Sequence, residues 1–175
     1  MKNLFKLTLA MIILVFAGTK LFSQDDMTPP KPLDNKVLEG MVGEWTGESD
    51  MMGMKYTENV KAYWILNHQF VVMETNDISK DNPNMNYHGM GIVGVDKDGN
   101  AKMWWYDDWG ADMMATGTGK FSENSLTVNS TNPMYKDDRT FELKDGGMVC
   151  SWTSTMMGKD GKEMKMNGST TYKKK

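Results

Sequence analysis

The sequence predicts an all-β fold, a single up-and-down antiparallel β-barrel of about ten strands entered through a short N-terminal helical turn. Three observations predict it. From Gly43 onward, apolar and polar residues alternate with a period of two, the spacing of strands with one wet face. Turn chemistry returns about every dozen residues, in stretches such as KDGN at 97–100, KDGG at 144–147 and MGKDGK at 157–162. Consecutive short hairpins make a meander, and closing that meander removes the two unpaired edges it would otherwise expose.

The elements follow in order. Residues 1–23 read as an export signal: Lys2 and Lys6 precede an unbroken apolar stretch at 7–18, and a polar shift leads to a small residue, Ser23, at the expected cut. The apolar run is too short for a permanent transmembrane helix, and no cysteine follows it to carry a lipid anchor. The mature protein is therefore expected to be periplasmic or secreted, with no integral membrane segment. Residues 24–32 form a flexible, proline-bearing leader, and 33–175 the barrel domain. Leu33, Val37, Leu38, Met41 and Val42 recur at helical spacing over too few residues for a long helix, which predicts a short capping turn. Strands are predicted at 43–49, 55–66, 69–77, 86–96, 101–108, 112–121, 125–131, 135–143, 148–156 and 163–173.

The strand phase assigns an inside and an outside. In the last strand Met164, Met166, Gly168, Thr170 and Tyr172 share one face, while Glu163, Lys165, Asn167, Ser169 and Lys173 share the other. The same parity turns Tyr56, Glu58, Val60, Ala62 and Trp64 inward. It does so too for Met113, Ala115, Gly117, Gly119 and Phe121, for Tyr135, Asp137, Arg139, Phe141 and Leu143, and for Met148, Cys150, Trp152 and Met156. Glycine and alanine at interior positions leave volume that either aromatic side chains from elsewhere or a ligand must fill.

Composition narrows the function. The 175 residues hold 20 Lys and Arg against 23 Asp and Glu, and losing Lys2, Lys6 and Lys20 with the signal leaves 17 against 23. An acidic domain with one arginine, Arg139, is unsuited to tracking nucleic-acid phosphates, so no nucleic-acid partner is expected. The single cysteine, Cys150, has neither His nor Lys beside it and reads as a packing residue rather than a nucleophile. The 19 methionines are well above ordinary usage and read as soft interior packing and cavity lining. No Ser-His-Asp order, phosphate loop, zinc spacing or paired-carboxylate motif is present, and residues 96–100 (DKDGN) read as a hairpin turn, not a calcium loop. Asp107, Asp108 and Asp112 are expected to form a solvated acidic rim. No enzymatic activity and no cofactor are predicted.

Gly43-Glu-Trp-Thr-Gly47, directly after the helical turn, resembles the G-x-W opening of lipocalins and related calycin barrels. In that opening Gly43 and Gly47 let the strand bend at the closed end, and Trp45 is the structural plug. Taken with Met51-Met-Gly-Met54, the hairpin at 63–70 (YWILNHQF), 89–96 (GMGIVGVD) and 158–162 (GKDGK), the chain resembles the bacterial domain of unknown function 1579 family over about residues 33–173. The resemblance implies an exported, calycin-like barrel and brings no assigned activity. Within calycins a basic side chain often lids the plug tryptophan, and Arg139 is one candidate for that contact over Trp45. Fatty-acid carriers, ten-stranded relatives, hold a ligand carboxylate with an interior arginine and tyrosine; Arg139 and Tyr172 are the candidates here, at a different strand spacing. An internal pair of Arg139 with Asp137 or Glu58 is a third reading. Nitrobindin-type barrels bind haem through a histidine near the C-terminus, whereas His68 and His88 both lie elsewhere.

The functional expectation is an exported, non-enzymatic barrel holding a small apolar or amphipathic ligand. Its candidate lining residues are Arg139, Tyr172, Tyr56, Trp64, His88, Met113, Phe141, Trp152, Met164 and Met166, with His88 included for the face it shares with Met90 and Ile92. Two alternatives stay open. One is an envelope interaction protein with a filled barrel, working through its surface, including residues 78–85. The other is Cu(I) buffering by thioethers, with Met51, Met52 and Met54 as the candidate ligands.

Overall fold

The computed structural model describes residues 29–51, 53–158 and 161–175. The export signal, the start of the leader and Met52 lie outside the described residues. Asn35 opens helix α1 (Lys36–Met41), its side chain accepting from the backbone N–H groups of Val37 at 3.1 Å and Leu38 at 3.0 Å. Two of the four donors left open by a helix N-terminus are thereby satisfied. Six residues have little intrinsic helical stability; α1 persists because Val37, Leu38 and Met41 are buried in the core.

Ten strands follow: β1 (Gly43–Met51), β2 (Met54–Ile65), β3 (Phe70–Ser79), β4 (Tyr87–Val95), β5 (Ala101–Asp107), β6 (Ala115–Phe121), β7 (Ser125–Thr131), β8 (Tyr135–Lys144), β9 (Gly147–Met157) and β10 (Glu163–Lys174). Each pairs antiparallel with its sequence neighbour. β10 returns to β1 in the register Trp45↔Lys174 to Glu48↔Thr171, so the meander closes into a barrel. The predicted all-β barrel of ten strands is therefore the observed one. The largest boundary difference is at the start of β6. Residues 112–114 do not extend; a single 3-10 turn (Ala111–Met113) forms instead, its Met113 N–H donating to the Gly110 carbonyl, with Gly110 at φ +88°.

The barrel has two unlike ends. At the α1 end, Val37, Leu38, Met41 and Trp45 pack with Val71, Val93, Ala101, Leu126, Val128, Phe141 and Met148 into one core. Trp45 donates its indole N–H to the Met41 carbonyl at 2.8 Å, locking the plug beneath the helix. Trp64 joins this seal: its indole N–H reaches Glu39 Oε2 of α1 at 2.8 Å, and its ring stacks on His68 with centroids 5.0 Å apart. The β2–β3 connection at this end places Leu66, Asn67 and His68 consecutively at φ near +50°. The opposite end carries five connections, at 51–54, 79–87, 107–115, 131–135 and 157–163. Most of the exposed large apolar side chains cluster there, including Met85, Trp109, Met114, Met134, Met157 and Met164.

Candidate functional site

The site is the interior of the half-barrel away from α1. Inward-facing Thr75, Tyr87, Trp105, Tyr135, Trp152, Ser154 and Met166 are only half-buried there, although each sits on a core-facing parity. An inward residue in a closed barrel stays accessible only where the interior is open to solvent. Arg139 makes the same point: its guanidinium is enclosed by the barrel, yet 31 % of the side-chain surface remains accessible.

The glycines explain how the interior stays open. The Trp105 ring lies against Gly89 and Gly91 of the neighbouring β4; a Cβ at Gly89 would collide with it, and one at Gly91 would sit tightly at 3.0 Å. Trp152 covers Gly168 of β10 in the same way, with a Cβ there only 2.6 Å from Cζ2. Both indoles thus lie flat on the wall and line the space without plugging it. Part of the volume freed by small residues is taken by these rings.

Polar groups gather at two places on the inner wall. On β8 and β9, Arg139 Nε donates to Asp137 Oδ2 at 3.0 Å, and Ser154 donates to Asp137 Oδ1. The guanidinium thus has an internal partner, one of the three roles open to it from the sequence. The lid over Trp45 is Lys174, whose ammonium lies 5.2 Å from the ring centroid, and this corrects the candidate contact from Arg139. Lys174 takes that place because β10 ends beside β1 in register with Trp45.

The second polar place lies on β2, β3 and β10, the last of these paired with β9. Glu58 accepts from Tyr172 Oη and from Thr170 Oγ1, the latter at 3.1 Å. Asp77, its cross-strand partner, accepts from Thr75 Oγ1 at 2.6 Å. Burial pushes the Asp77 carboxyl up to about 6; the Thr75 hydrogen bond opposes this, the Glu58 charge adds to it, and the Arg139 and His88 charges act to lower it. Tyr172 is also raised, by burial first and then by Glu58, so it stays a neutral donor. The sequence placed Glu58 and Asp137 inward by parity but gave no sign that Asp77 would matter, since its chemistry arises from burial and from its neighbour across the sheet.

Several sequence candidates lie elsewhere. His88 faces outward: its backbone N–H and ring Nδ1 both approach Asp108 Oδ2, at 2.9 and 3.1 Å. Met90 shares that outer face, and the inward residues of β4 are Tyr87, Gly89, Gly91 and Val93. Together with Asn59, Lys61, Glu74 and Tyr106, His88 borders a shallow groove of about 620 Å³ on the outer wall, on the opposite face of the sheet from the interior. Trp64 and Phe141 belong to the sealed half. Met113 sits in the 3-10 turn at the mouth, its carbonyl accepting from Asn132 Nδ2 at 2.9 Å, and Met164 is exposed at the same rim. Tyr56, Tyr172, Arg139, Trp152 and Met166 remain on the interior wall. Of the expected acidic rim, Asp107 turns inward to accept from Tyr87 Oη at 3.1 Å. Met51 and Met54 face one another in register across the β1–β2 turn.

The thiol of Cys150 is buried, and desolvation pushes it up to about 11, partly opposed by Arg139; it is a packed, protonated thiol. Residues 96–100 form a tight hairpin in which Asp96 Oδ1 accepts from the backbone of Asp98 and Asn100, leaving its carboxylate occupied by its own turn. No group of three or more His, Cys, Asp or Glu suited to a metal ion exists among the described residues, and no described helix is long and apolar enough to cross a membrane. Comparison with protein-family models and with curated proteins finds no match to the chain.

Proposed function

We propose that this protein is an exported, non-enzymatic barrel that carries a small apolar or amphipathic molecule in its open half. The observation that carries the reading is the accessible interior, lined by Trp105, Trp152 and Met166 and reached past a methionine-rich mouth. Unbranched, polarizable methionine side chains adapt to an entering apolar chain at low cost. Export is supported by the charge-flanked apolar run at 7–18, and kinship with the domain of unknown function 1579 family by the Gly43–Gly47 opening and its companion motifs. Against the filled-barrel alternative, Thr75, Tyr87, Trp105, Tyr135, Trp152, Ser154 and Met166 are only half-buried although they face inward.

Titration of delipidated protein with a neutral hydrophobic naphthylamine dye tests the reading. Saturable uptake near one dye per chain, with quenching of tryptophan emission as Trp105 and Trp152 are contacted, is expected. A dye signal that rises linearly without saturation, for this dye and for alkyl-chain competitors alike, would count decisively against an interior site.

A further inference from the structure

We propose that the methionine thioethers around the open mouth are a modification site, oxidised to sulfoxides by peroxide, and that this oxidation weakens the hold of the barrel on its apolar ligand. The effect on the ligand rests on the carrier reading above; the modification itself does not.

The first argument is placement. Each of the five connections at the open end holds methionine: Met51 and Met54 bound the first, and Met85, Met114, Met134 and Met157 lie in the other four in turn. The four connections at the α1 end, at 65–70, 95–101, 121–125 and 144–147, hold none. The backbone of a turn asks for Gly, Asn, Asp or Pro, not for methionine. Turn chemistry therefore does not account for a thioether in every connection at one end and in none at the other.

The second argument is access. Met85, Met114, Met134, Met157 and Met164, all at the mouth, are between 38 and 57 % exposed, whereas Met41, Met73, Met103 and Met148 are at most 6 % exposed. An oxidant in solution meets the sulfurs of the rim and not those of the core. Cys150, the one thiol, does not intercept it. Its side chain is buried, and desolvation keeps it protonated, whereas the thiolate is the reactive form. The most exposed reduced sulfur among the described residues is therefore thioether sulfur at the mouth.

The third argument is chemical. Peroxide delivers one oxygen to each sulfur: an S–O bond forms, the O–O bond breaks, sulfur gives up two electrons and water leaves. A polar sulfoxide, a hydrogen-bond acceptor, then stands where an apolar and adaptable side chain stood. Met164 lies on the inward parity of β10 with Met166 and is the cross-strand partner of Met156, so the change reaches the inner edge of the rim. A sulfoxide there holds water that an apolar ligand would have to displace. Sulfoxides are reducible, so the change can be reversed.

Oxidation of the folded protein with hydrogen peroxide, followed by peptide mapping and titration with the neutral dye, tests the proposal. The five exposed methionines are expected to gain oxygen while Met41, Met73, Met103 and Met148 stay reduced. The dye Kd is expected to rise about tenfold, as for the loss of roughly 50 Å² of apolar contact. Methionine sulfoxide reductases with dithiothreitol, which is oxidised to its cyclic disulfide as water is released, should restore the starting Kd without any substitution. Met85→Leu, Met114→Leu, Met134→Leu, Met157→Leu and Met164→Leu combined should keep dye uptake and make it indifferent to peroxide. Rim oxidation with an unchanged Kd would overturn the effect on the ligand while leaving the carrier reading intact. Core methionines oxidised in step with those of the rim would overturn the site assignment. Absence of saturable uptake by the untreated protein would remove the carrier reading and the ligand effect with it, and the peptide map would still decide the modification.

Discussion

Asp77 illustrates how one buried side chain can lower stability. Its carboxyl titrates near 6 in the folded barrel against 3.8 for the free group, so the folded state holds its proton over a range where the unfolded chain has lost it. The sign follows directly. Stability from this group is full below about pH 4, declines as pH rises, and is lost above about pH 6, a change of about 3 kcal/mol at most. Of the charged groups that act on the same carboxyl, Glu58 adds to the shift while Arg139 and His88 oppose it. Asp77→Asn removes the ionisation while keeping the Thr75 contact feasible. Urea unfolding should therefore show the variant more stable than the parent at pH 8 and equal to it at pH 4; a variant destabilised at both pH values would refute the assignment. Sequence parity reached several neighbours of Asp77 but not Asp77 itself, because an aspartate near a strand end reads as a turn residue until its partner across the sheet is known.

Among the elements, the β2–β3 connection is the most strained. Leu66, Asn67 and His68 take three successive left-handed conformations, each costing about 1 kcal/mol or more for a residue with a Cβ. The His68 ring stacked on Trp64, and the Leu33 N–H donated to the His68 carbonyl at 3.1 Å, hold the turn in place against that cost. Leu66 is 69 % exposed, so its side chain contributes little in return. Leu66→Gly is expected to raise the urea midpoint, by about 0.5–1 kcal/mol after the extra freedom of glycine in the unfolded chain is subtracted; a drop in midpoint would show that the leucine side chain matters after all. The hairpin was legible in the sequence as a break between two alternating runs. Its handedness was not, because no glycine stands at 66–68 to announce it. The late start of β6 was hidden for a related reason: alternation at 112–114 looks like strand, and only the local Gly110–Met113 hydrogen bond shows that the chain turns there.

At the scale of the whole molecule, closure by β10 joins the last strand to the first and pairs every strand on both sides. Deleting residues 163–175 would strip partners from both β1 and β9 and take Lys174 from the Trp45 ring. Such a truncated chain is expected to lose its cooperative urea transition and to elute as aggregates in size-exclusion chromatography, as exposed edges pair between molecules; a sharp transition and monomeric elution would show that closure is dispensable. The sequence by itself determined the fold class, the number of strands and the phase of most of them, because strand periodicity and turn chemistry are local and recur along the chain. Only the tertiary structure decided which inward residues meet. Pairing of Arg139 with Asp137 instead of Trp45, the confrontation of Glu58 with Asp77, the outward turn of His88 and the division into a sealed and an open half all depend on register and on which strands lie opposite, and those are set by closure of the whole sheet.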